Sequence, residues 1–294
     1  MSSLQTALNT FIEHEQLPDS YRQTVKRWFI PLAEDILRQV SVHEGSFVLG
    51  VNGSQGSGKS TLAALLVILF KEMLGLSSIN LSLDDFYLTR SERQRLARDV
   101  HPLLVTRGVP GTHDTGLALQ TIAALKTRAQ VPIPRFDKAQ DERFDPAQWP
   151  SVIAPVDVIV LEGWCLGIEP QRPEELIEPV NALEAEEDAG VRWRTYVNER
   201  LTQEYRHLFA ELDMLLMLKA PGFEQVIDWR LRQEQKLAAR TEGDSSRLMS
   251  RDALERFIAH YERLTCHALA TLPEKADVVF QLNEQQGIES RLKV

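Results

Sequence analysis

Short apolar runs alternate along this chain with longer segments in which apolar residues recur every three or four positions. Runs that are apolar on both faces are typical of strands in a parallel sheet covered on both sides, and the longer periodicity is typical of helices. The runs predict five strands, at residues 47–51, 78–83, 156–161, 214–218 and 278–282. The periodic segments predict helices at residues 59–74, 117–128, 195–211, 222–239 and 251–272. We therefore expect an α/β protein with a five-stranded parallel sheet sandwiched by helices.

Three other segments complete the predicted organisation. Residues 3–40 show helical periodicity and predict one or two amphipathic helices. We expect residues 1–45 to form an N-terminal helical extension packed on a core domain of residues 46–294. The stretch from about residue 101 to 150 is rich in Pro, Gly, Asp and Arg and predicts a long functional loop above the carboxyl ends of the strands. The acidic residues 169–190 predict a solvated excursion.

The composition narrows the class of protein. The formal charge is -9 and the pI is about 5.4, which argues against a nucleic-acid-binding surface. Two cysteines, Cys165 and Cys266, match no metal-ligand spacing and favour a reducing compartment. The N-terminus lacks the apolar core of a signal peptide, and the longest apolar run, residues 62–70, is too short to span a bilayer. We therefore expect a cytoplasmic protein with no membrane or nucleic-acid partner, and a monomer as the plain case.

Residues 53–60 fit the pattern G-x-x-x-x-G-K-[ST] of a phosphate-binding loop, between a predicted strand and a predicted helix. The glycines let the backbone curl so that successive N–H groups face the phosphates, and the helix adds its positive end. Lys59 is predicted to reach the β- and γ-phosphates and Ser60 to ligate Mg²⁺. The predicted nucleotide-binding residues are Gly53, Ser54, Gln55, Gly56, Ser57, Gly58, Lys59, Ser60 and Thr61.

The loop alone does not separate kinases, GTPases and motor ATPases. A GTPase should carry Asn-Lys-x-Asp after a strand to recognise guanine. The nearest string, residues 274–277, begins with Glu274 and precedes its strand. The sequence therefore gives no support to a GTPase.

A pair of acids ends the second predicted strand. If that strand lies beside the phosphate-loop strand, Asp84 would face the γ-phosphate, as a base that accepts the proton of a substrate hydroxyl must. We predict Asp84 as that base and Asp85 as a structural residue or a helper to the metal. The alternative is that both acids cap a helix starting near Thr89.

A third acid follows the apolar run at residues 156–161. Glu162, at the end of that run, predicts a Walker-B-like element that holds Mg²⁺ through water. Gly163 would permit close approach of the backbone. The alternative is a partly buried acid that simply ends a strand. The predicted metal-binding residues are Ser60, Glu162 and Asp84.

Several of these segments, taken together, resemble a known family. They are the phosphate loop, DDFYLT at 84–89, RGVPGTHD at 107–114, PRFDK at 134–138, EGW at 162–164 and WRLRQE at 229–234. The set is similar to the plant-type D-glycerate 3-kinases and their fungal and bacterial relatives, which belong with uridine kinase, phosphoribulokinase and bacterial pantothenate kinase. The resemblance covers about residue 46 to the end.

The resemblance implies a P-loop kinase with a five-stranded parallel core that uses ATP and Mg²⁺. It matches Asp84 to the general base of these kinases and Glu162 to a metal-side acid. It also implies a mobile lid, at about residues 222–245, in which Arg230 or Arg232 neutralises the transferred phosphoryl group. The alternative for these two arginines is an exposed face. The predicted catalytic residues are Lys59, Asp84, Arg230 and Arg232.

The substrate is less well defined by the sequence. The long loop places several charged residues near the predicted base, which suits a small anion or polyol. The predicted substrate-binding residues are Asp84, Tyr87, Arg107, His113, Asp114, Arg135 and Lys138. Taken singly, each is more often part of a loop salt bridge. Three functions remain open: a small-hydroxyacid kinase, D-glycerate 3-kinase by resemblance; a kinase of the same core acting on a nucleoside, pantothenate-like molecule or sugar; and an ATP-binding regulator or assembly factor.

Overall fold

The computed structural model describes residues 3–240 and 251–292. Its strands are β1 (Phe47–Gly53), β2 (Ser78–Ser82), β3 (Gln130–Pro132), β4 (Phe136–Asp137), β5 (Glu142–Arg143), β6 (Ser151–Ile153), β7 (Val158–Gly163), β8 (Met214–Lys219), β9 (Val278–Leu282) and β10 (Ile288–Leu292). Six of them form the central sheet, in the order β10-β9-β8-β1-β7-β2. The five predicted strands are its parallel part, which confirms the predicted fold class. β10, which the sequence analysis missed, adds an antiparallel edge beside β9.

The strand order corrects one expectation about the base. β2, which leads to Asp84, does not lie beside β1, because β7 lies between them. The register pairs Val51 of β1 and Ser82 of β2 with the same residue of β7, Glu162. Since the three strands are parallel, their carboxyl ends meet at one edge of the sheet. The phosphate loop, Glu162 and Asp84 therefore share that edge, with Glu162 in the middle.

The helices cover both faces of this sheet. They are α1 (Ser3–His14), α2 (Tyr21–Thr24), α3 (Ile30–Val40), α4 (Lys59–Leu74), α5 (Arg90–Asp99), α6 (Thr115–Thr127), α7 (Ala182–Glu187), α8 (Arg192–Thr202), α9 (Glu204–Phe209), α10 (Phe223–Arg240) and α11 (Arg251–Thr271). The helix predicted at 195–211 is two helices, because Gln203, with ψ of −103°, leaves the helical conformation. Of the predicted lid, residues 223–240 form α10, whereas residues 241–245 lie outside the described part of the chain.

The N-terminal helices pack against α4 and the sheet. A π-helical turn, Val25–Phe29, joins α2 to α3, so the predicted one or two helices are three with a distorted junction. Leu8, Leu32 and Ile36 are buried in the same cluster as the apolar residues of α4. The ring of Phe29 meets that of Phe280 on β9 edge-on, with centroids 6.0 Å apart. Burial of this apolar face holds the extension on the sheet.

The acidic segment is not simply a solvated excursion, as its charge had suggested. Most of residues 169–190 is exposed, but Glu184 and Asp188 are buried. Glu184 pairs with Arg263 on α11 at 2.6 Å, and Asp188 pairs with Arg194 on α8 at 3.2 Å. Buried charges require such partners, so these acids fix the segment to two helices. No helix in the described ranges is both long and apolar enough to cross a membrane.

Candidate active site

The turn between β1 and α4 has the conformation that a phosphate-binding loop requires. Gly56 and Gly58 have φ of +80° and +87°, in the left-handed region that favours glycine. A Cβ on Gly56 would lie 2.6 Å from the Cβ of Trp229 on α10, so the tip of the loop packs directly against that helix. α4 begins at Lys59 with no side-chain cap, which leaves its first backbone N–H groups available to an anion.

Polar atoms within the loop are buried without partners. They are Ser54 Oγ, Gln55 Oε1 and Ser57 Oγ. Buried polar groups are normally hydrogen-bonded, so unpaired ones in a loop of this shape fit a site that a polar ligand completes. Thr61, one turn into α4, lines a cavity beside the loop. The predicted nucleotide-binding residues therefore lie together around one concave turn.

Glu162 meets the start of α4 across the sheet edge. Ser60 Oγ donates to Glu162 Oε1 at 2.9 Å, and Lys59 Nζ lies 3.9 Å from Glu162 Oε2. Glu162 is 4% exposed, and its Oε2 atom has no hydrogen-bond partner. Among the described residues no cluster of three or more His, Cys, Asp or Glu side chains forms a metal site. A cation here would therefore need phosphate oxygens or water besides Ser60 and Glu162, as Mg²⁺ in nucleotide sites does.

Asp84 lies in a 3₁₀ turn, Leu83–Phe86, that follows β2. Its two carboxylate oxygens accept hydrogen bonds from Lys138 Nζ at 2.6 Å and from the Tyr87 hydroxyl at 2.8 Å. Burial disfavours the charged form of Asp84. The ammonium groups of Lys138 and Lys59 outweigh that effect and hold the pKa of Asp84 well below its usual range. The carboxylate is therefore ionised and already paired in the resting site.

The alternative that the two acids cap a helix is wrong. The N-cap of α5 is Thr89, whose side chain accepts from the Glu92 amide while Glu92 accepts from the Thr89 amide. Asp85 instead accepts from Arg135 Nη1 at 2.6 Å and from the Phe136 amide at 3.1 Å. Asp85 thus anchors the strand that leads to Lys138, which is a structural role.

The cations predicted to bind substrate lie around a small hairpin formed by β4 and β5. Arg107 donates to Asp141 in the turn of this hairpin and to the Lys138 carbonyl, and its guanidinium lies 5.6 Å from the centroid of the Phe136 ring. Arg135 precedes β4 and pairs with Asp85. Lys138 is the most exposed of the three, and its partner is Asp84 itself. Each cation is already paired with an acid of the protein.

His113 lies behind Tyr87. The two rings stack with centroids 4.6 Å apart, and His113 Nδ1 lies 2.5 Å from the Tyr205 hydroxyl. Its Nε2 atom is buried without a partner, and burial lowers the pKa of His113 to about 4. A neutral ring can exchange a hydrogen bond but cannot balance a carboxylate. Asp114 is engaged elsewhere, since it caps α6 and pairs with Arg143 at 3.4 Å.

The two arginines of the predicted lid lie in different surroundings. Arg230 is half-buried on α10 and lines the cavity beside the phosphate loop. Arg232 is exposed and does not line it. Residues two apart in a helix point in different directions. The structure therefore brings Arg230, and not Arg232, to the phosphate loop.

Comparison with known proteins identifies the family. The family model described as the phosphoribulokinase / uridine kinase family matches residues 48–172. The relative named uncharacterized kinase mug58, from Schizosaccharomyces pombe, is 33% identical over 244 residues, which cover 78% of this chain and 83% of that protein. This chain belongs to the phosphoribulokinase and uridine kinase family.

Two further proteins similar to this chain have a more specific name, D-glycerate 3-kinase. The chloroplastic D-glycerate 3-kinase of Arabidopsis thaliana is 31% identical over 255 residues, which cover 80% of this chain and 52% of that protein. The chain thus spans about half the length of that relative. The solved structure of D-glycerate 3-kinase from Cryptococcus neoformans superposes with a TM-score of 0.71 at 26% identity, covering 94% of this chain and all of that one. The chain is an ATP-dependent small-molecule kinase with the P-loop kinase fold.

Several residues that hold the candidate site in place were not predicted from the sequence. Asn52, the residue before the phosphate loop, donates to the carbonyls of Trp164 and Leu166 and so fixes the turn after Glu162. Arg93 on α5 is 1% exposed and pairs with Asp141 at 2.8 Å. Neither Asn52 nor Arg93 stands out in the sequence, because an asparagine beside a glycine and an arginine in a charged helix are both common.

A second set of contacts ties the loop at about residues 101–150, predicted to bind substrate and called the substrate loop below, to α11. Trp164 Nε1 donates to the Gly108 carbonyl at 2.8 Å, and the Tyr261 hydroxyl donates to the Arg107 carbonyl at 3.0 Å. Gly108 has φ of +131°, and a Cβ there would clash with the Tyr261 ring. These contacts fix the backbone at Arg107 and connect the substrate loop to the helix that follows the predicted lid.

Proposed function

We propose that this kinase transfers the γ-phosphoryl group of ATP to a hydroxyl of a small hydroxy acid, with D-glycerate as the leading acceptor. One observation carries the proposal: a carboxylate, Asp84, is bonded to an ammonium group, Lys138, at the edge of the sheet that also holds the phosphate loop. An acceptor with a hydroxyl next to a carboxylate has the complementary pair of groups. The similarity to D-glycerate 3-kinases supports the same choice.

The phosphate loop would hold the triphosphate, with Lys59 on its β- and γ-phosphates. Phosphoryl transfer proceeds through a loose transition state, so positioning and charge neutralisation matter more than a strong base. The low pKa of Asp84 suits this chemistry, because the carboxylate stays ionised at neutral pH and can orient the hydroxyl from the start. Asp84 would then take the proton as the new P–O bond forms and the bond to ADP breaks.

The oxygen groups of Ser60 and Glu162 would hold Mg²⁺. The buried Oε2 atom of Glu162, which has no hydrogen-bond partner, and the Ser60 hydroxyl form a hard, all-oxygen donor set, which this cation prefers. When bound, the cation neutralises charge on the phosphates. An acceptor carboxylate that takes Lys138 would release one Asp84 oxygen next to the acceptor hydroxyl, so we assign Asp84 to that hydroxyl and not to the metal.

Lys138 is the cation best placed for the acceptor carboxylate. Its side chain is 60% exposed, and its partner Asp84 must turn to the acceptor hydroxyl during the reaction. Arg107 and Arg135 would instead shape the hairpin, since Asp141 and Asp85 already balance them. His113, neutral at physiological pH, could hydrogen-bond a hydroxyl through its buried Nε2 atom only after Tyr87 moves aside.

The test is coupled ADP release with ATP and Mg²⁺ against D-glycerate, L-glycerate, uridine, pantothenate and simple sugars. Turnover with D-glycerate and little with the others is expected. Turnover with uridine or a sugar alone would refute the hydroxy-acid proposal but leave the kinase intact. Turnover with pantothenate alone would refute D-glycerate as the acceptor. Binding of ATP with no turnover on any acceptor would favour a regulator.

A further inference from the structure

A cavity of about 640 Å³ opens beside the phosphate loop, within the range of roughly 300–1,000 Å³ found for small-molecule sites. One wall is the loop itself, at residues 56–58, followed by Thr61 and Leu62 of α4. A second wall is the turn between β9 and β10, residues 285–287. The remaining wall comes from residues 15–18 and 20, in the connection between α1 and α2, and from residues 21 and 24 of α2. The N-terminal extension therefore closes a cavity at the phosphate loop.

The strand order decides which part of a nucleotide this cavity would take. Asp84 and Glu162 lie at the ends of β2 and β7, on one side of β1. The transferred phosphoryl group must point to that side. The cavity lies on the other side of the loop, where Leu218 ends the apolar part of β8 and Leu282 ends β9. The nucleoside end of the triphosphate must extend in this direction.

We infer that the connection between α1 and α2, residues 15–20, together with α2 itself forms the outer wall of a pocket for the purine base of ATP. The inference rests on the proposed function, because it takes ATP as the phosphoryl donor. It gives the N-terminal extension a role in binding and not in packing alone.

The lining has the chemistry that a purine requires. Purines present apolar ring faces and a polar edge of donors and acceptors. Leu17 and Pro18 of the connection, together with Leu62 of α4, offer apolar surface for the faces. Gln285 at the tip of the β9–β10 turn offers an amide for the edge. The cavity thus combines apolar surface for the ring faces with polar groups for the edge.

The connection is fixed to the core and is not a loose tail. The Leu17 amide donates to the Ile12 carbonyl at 2.9 Å, which closes the end of α1. The rings of Tyr21 and Phe29 pack with centroids 6.0 Å apart, and Phe29 in turn packs against β9. On the opposite wall the Gln286 side chain donates to the Gly56 carbonyl, so that the β9–β10 turn is tied to the phosphate loop. Both walls therefore have defined positions relative to the phosphates.

A matched pair of substitutions tests the wall. Ser20 lines the cavity and Asp19 does not, and both are exposed. We expect Ser20→Trp to place an indole in the cavity and weaken ATP binding at least about tenfold. Inorganic tripolyphosphate, which has no base, should bind within about twofold of wild type. Asp19→Trp should change neither dissociation constant, and thermal unfolding should show that both variants are folded.

Photolabelling gives a second readout that does not depend on where the indole points. With 8-azido-ATP, the label is expected on the tryptic peptide that ends at Arg22, and excess ATP should prevent it. Label confined to other peptides, or equal affinity of the wild type for ATP and tripolyphosphate, would overturn the inference while the phosphate loop stands. A wild-type protein that binds neither ligand would overturn the proposed function and this inference with it.

Discussion

Asp84→Asn is the change that tests most of the proposed chemistry, because it removes the charge of the proposed base and keeps its size. In the wild type the two carboxylate oxygens accept from Lys138 and Tyr87. The amide of the substituted side chain keeps one acceptor oxygen, but its NH₂ group must face either the Lys138 ammonium or the Tyr87 hydroxyl. It cannot take the proton of the acceptor hydroxyl. We therefore expect a loss of turnover with little loss of ATP binding.

Asp84→Asn should lower the rate far more than it lowers the stability. Loss of a positioned base costs about 10²–10⁴ in rate. The stability cost is small, because the Lys138 side chain is 60% exposed and such pairs contribute roughly 0.2–1 kcal/mol. The pKa of Asp84 is depressed in the folded protein, so the ion pair makes its whole contribution to the free energy of unfolding above an unfolded-state pKa of about 3.9. That contribution declines only in more acidic solution. Near neutral pH the melting temperature should fall by roughly 2–4 °C at most.

The assay is ADP release at saturating ATP, with the acceptor that the panel identifies. ATP affinity is measured separately, and Asp137→Asn serves as the control. Asp137 lies in the same hairpin as Lys138 and accepts from the Ala139 and Gln140 amides, which an asparagine oxygen can replace, so Asp137→Asn should leave the rate within about threefold of wild type. A rate for Asp84→Asn within about tenfold of wild type would refute Asp84 as the base. Loss of ATP binding would show that Asp84 acts on the nucleotide.

Three further changes address the metal, the lid and the pH dependence. Glu162→Gln should raise the Mg²⁺ concentration for half-maximal turnover about tenfold or more, and an unchanged Mg²⁺ titration would contradict its role. Arg230→Ala should slow turnover about 10²-fold or more at saturating substrates, whereas Arg232→Ala should be near wild type, and the reverse ranking would exclude our assignment. Lys138→Met should raise the pKa of Asp84, since the Lys138 ammonium favours the ionised carboxylate. The acid limb of the pH–rate profile should therefore move to higher pH. An acid limb that stays in place would show that Lys138 does not set the pKa of Asp84.

Local signals in the sequence predicted much of the fold and the phosphate loop. Residues 53–60 predict their own conformation, because glycines are needed where φ is positive and the following helix supplies the N–H groups. The parallel strands were visible as apolar runs. β10 was not visible, because three consecutive polar residues separate Ile288 from Leu292 on a short antiparallel edge. The break at Gln203 within an apolar periodicity carries no Gly or Pro to mark it.

The arrangement of the substrate loop depends on contacts between residues distant in sequence. Asp141 joins Arg93 and Arg107, which lie 48 and 34 positions away. Neither the pairing nor the burial of Arg93 follows from any local pattern, since charged residues are exposed in most settings. The strand order also required the structure, because nothing in the sequence places β7 between β1 and β2.

The ion pairs formed by cations of the substrate loop would affect which acceptor the kinase selects. The cations near Asp84 each have a protein acid as partner, so an acceptor gains affinity only where it replaces an existing bond with an equal one. A hydroxy acid satisfies this condition at the Lys138–Asp84 pair, since its carboxylate can take the lysine while its hydroxyl takes the aspartate. A neutral nucleoside or sugar offers the hydroxyl but leaves Lys138 without an anion. Breaking the pair without compensation therefore disfavours neutral acceptors, and under our proposal the ion pair itself selects for an acid.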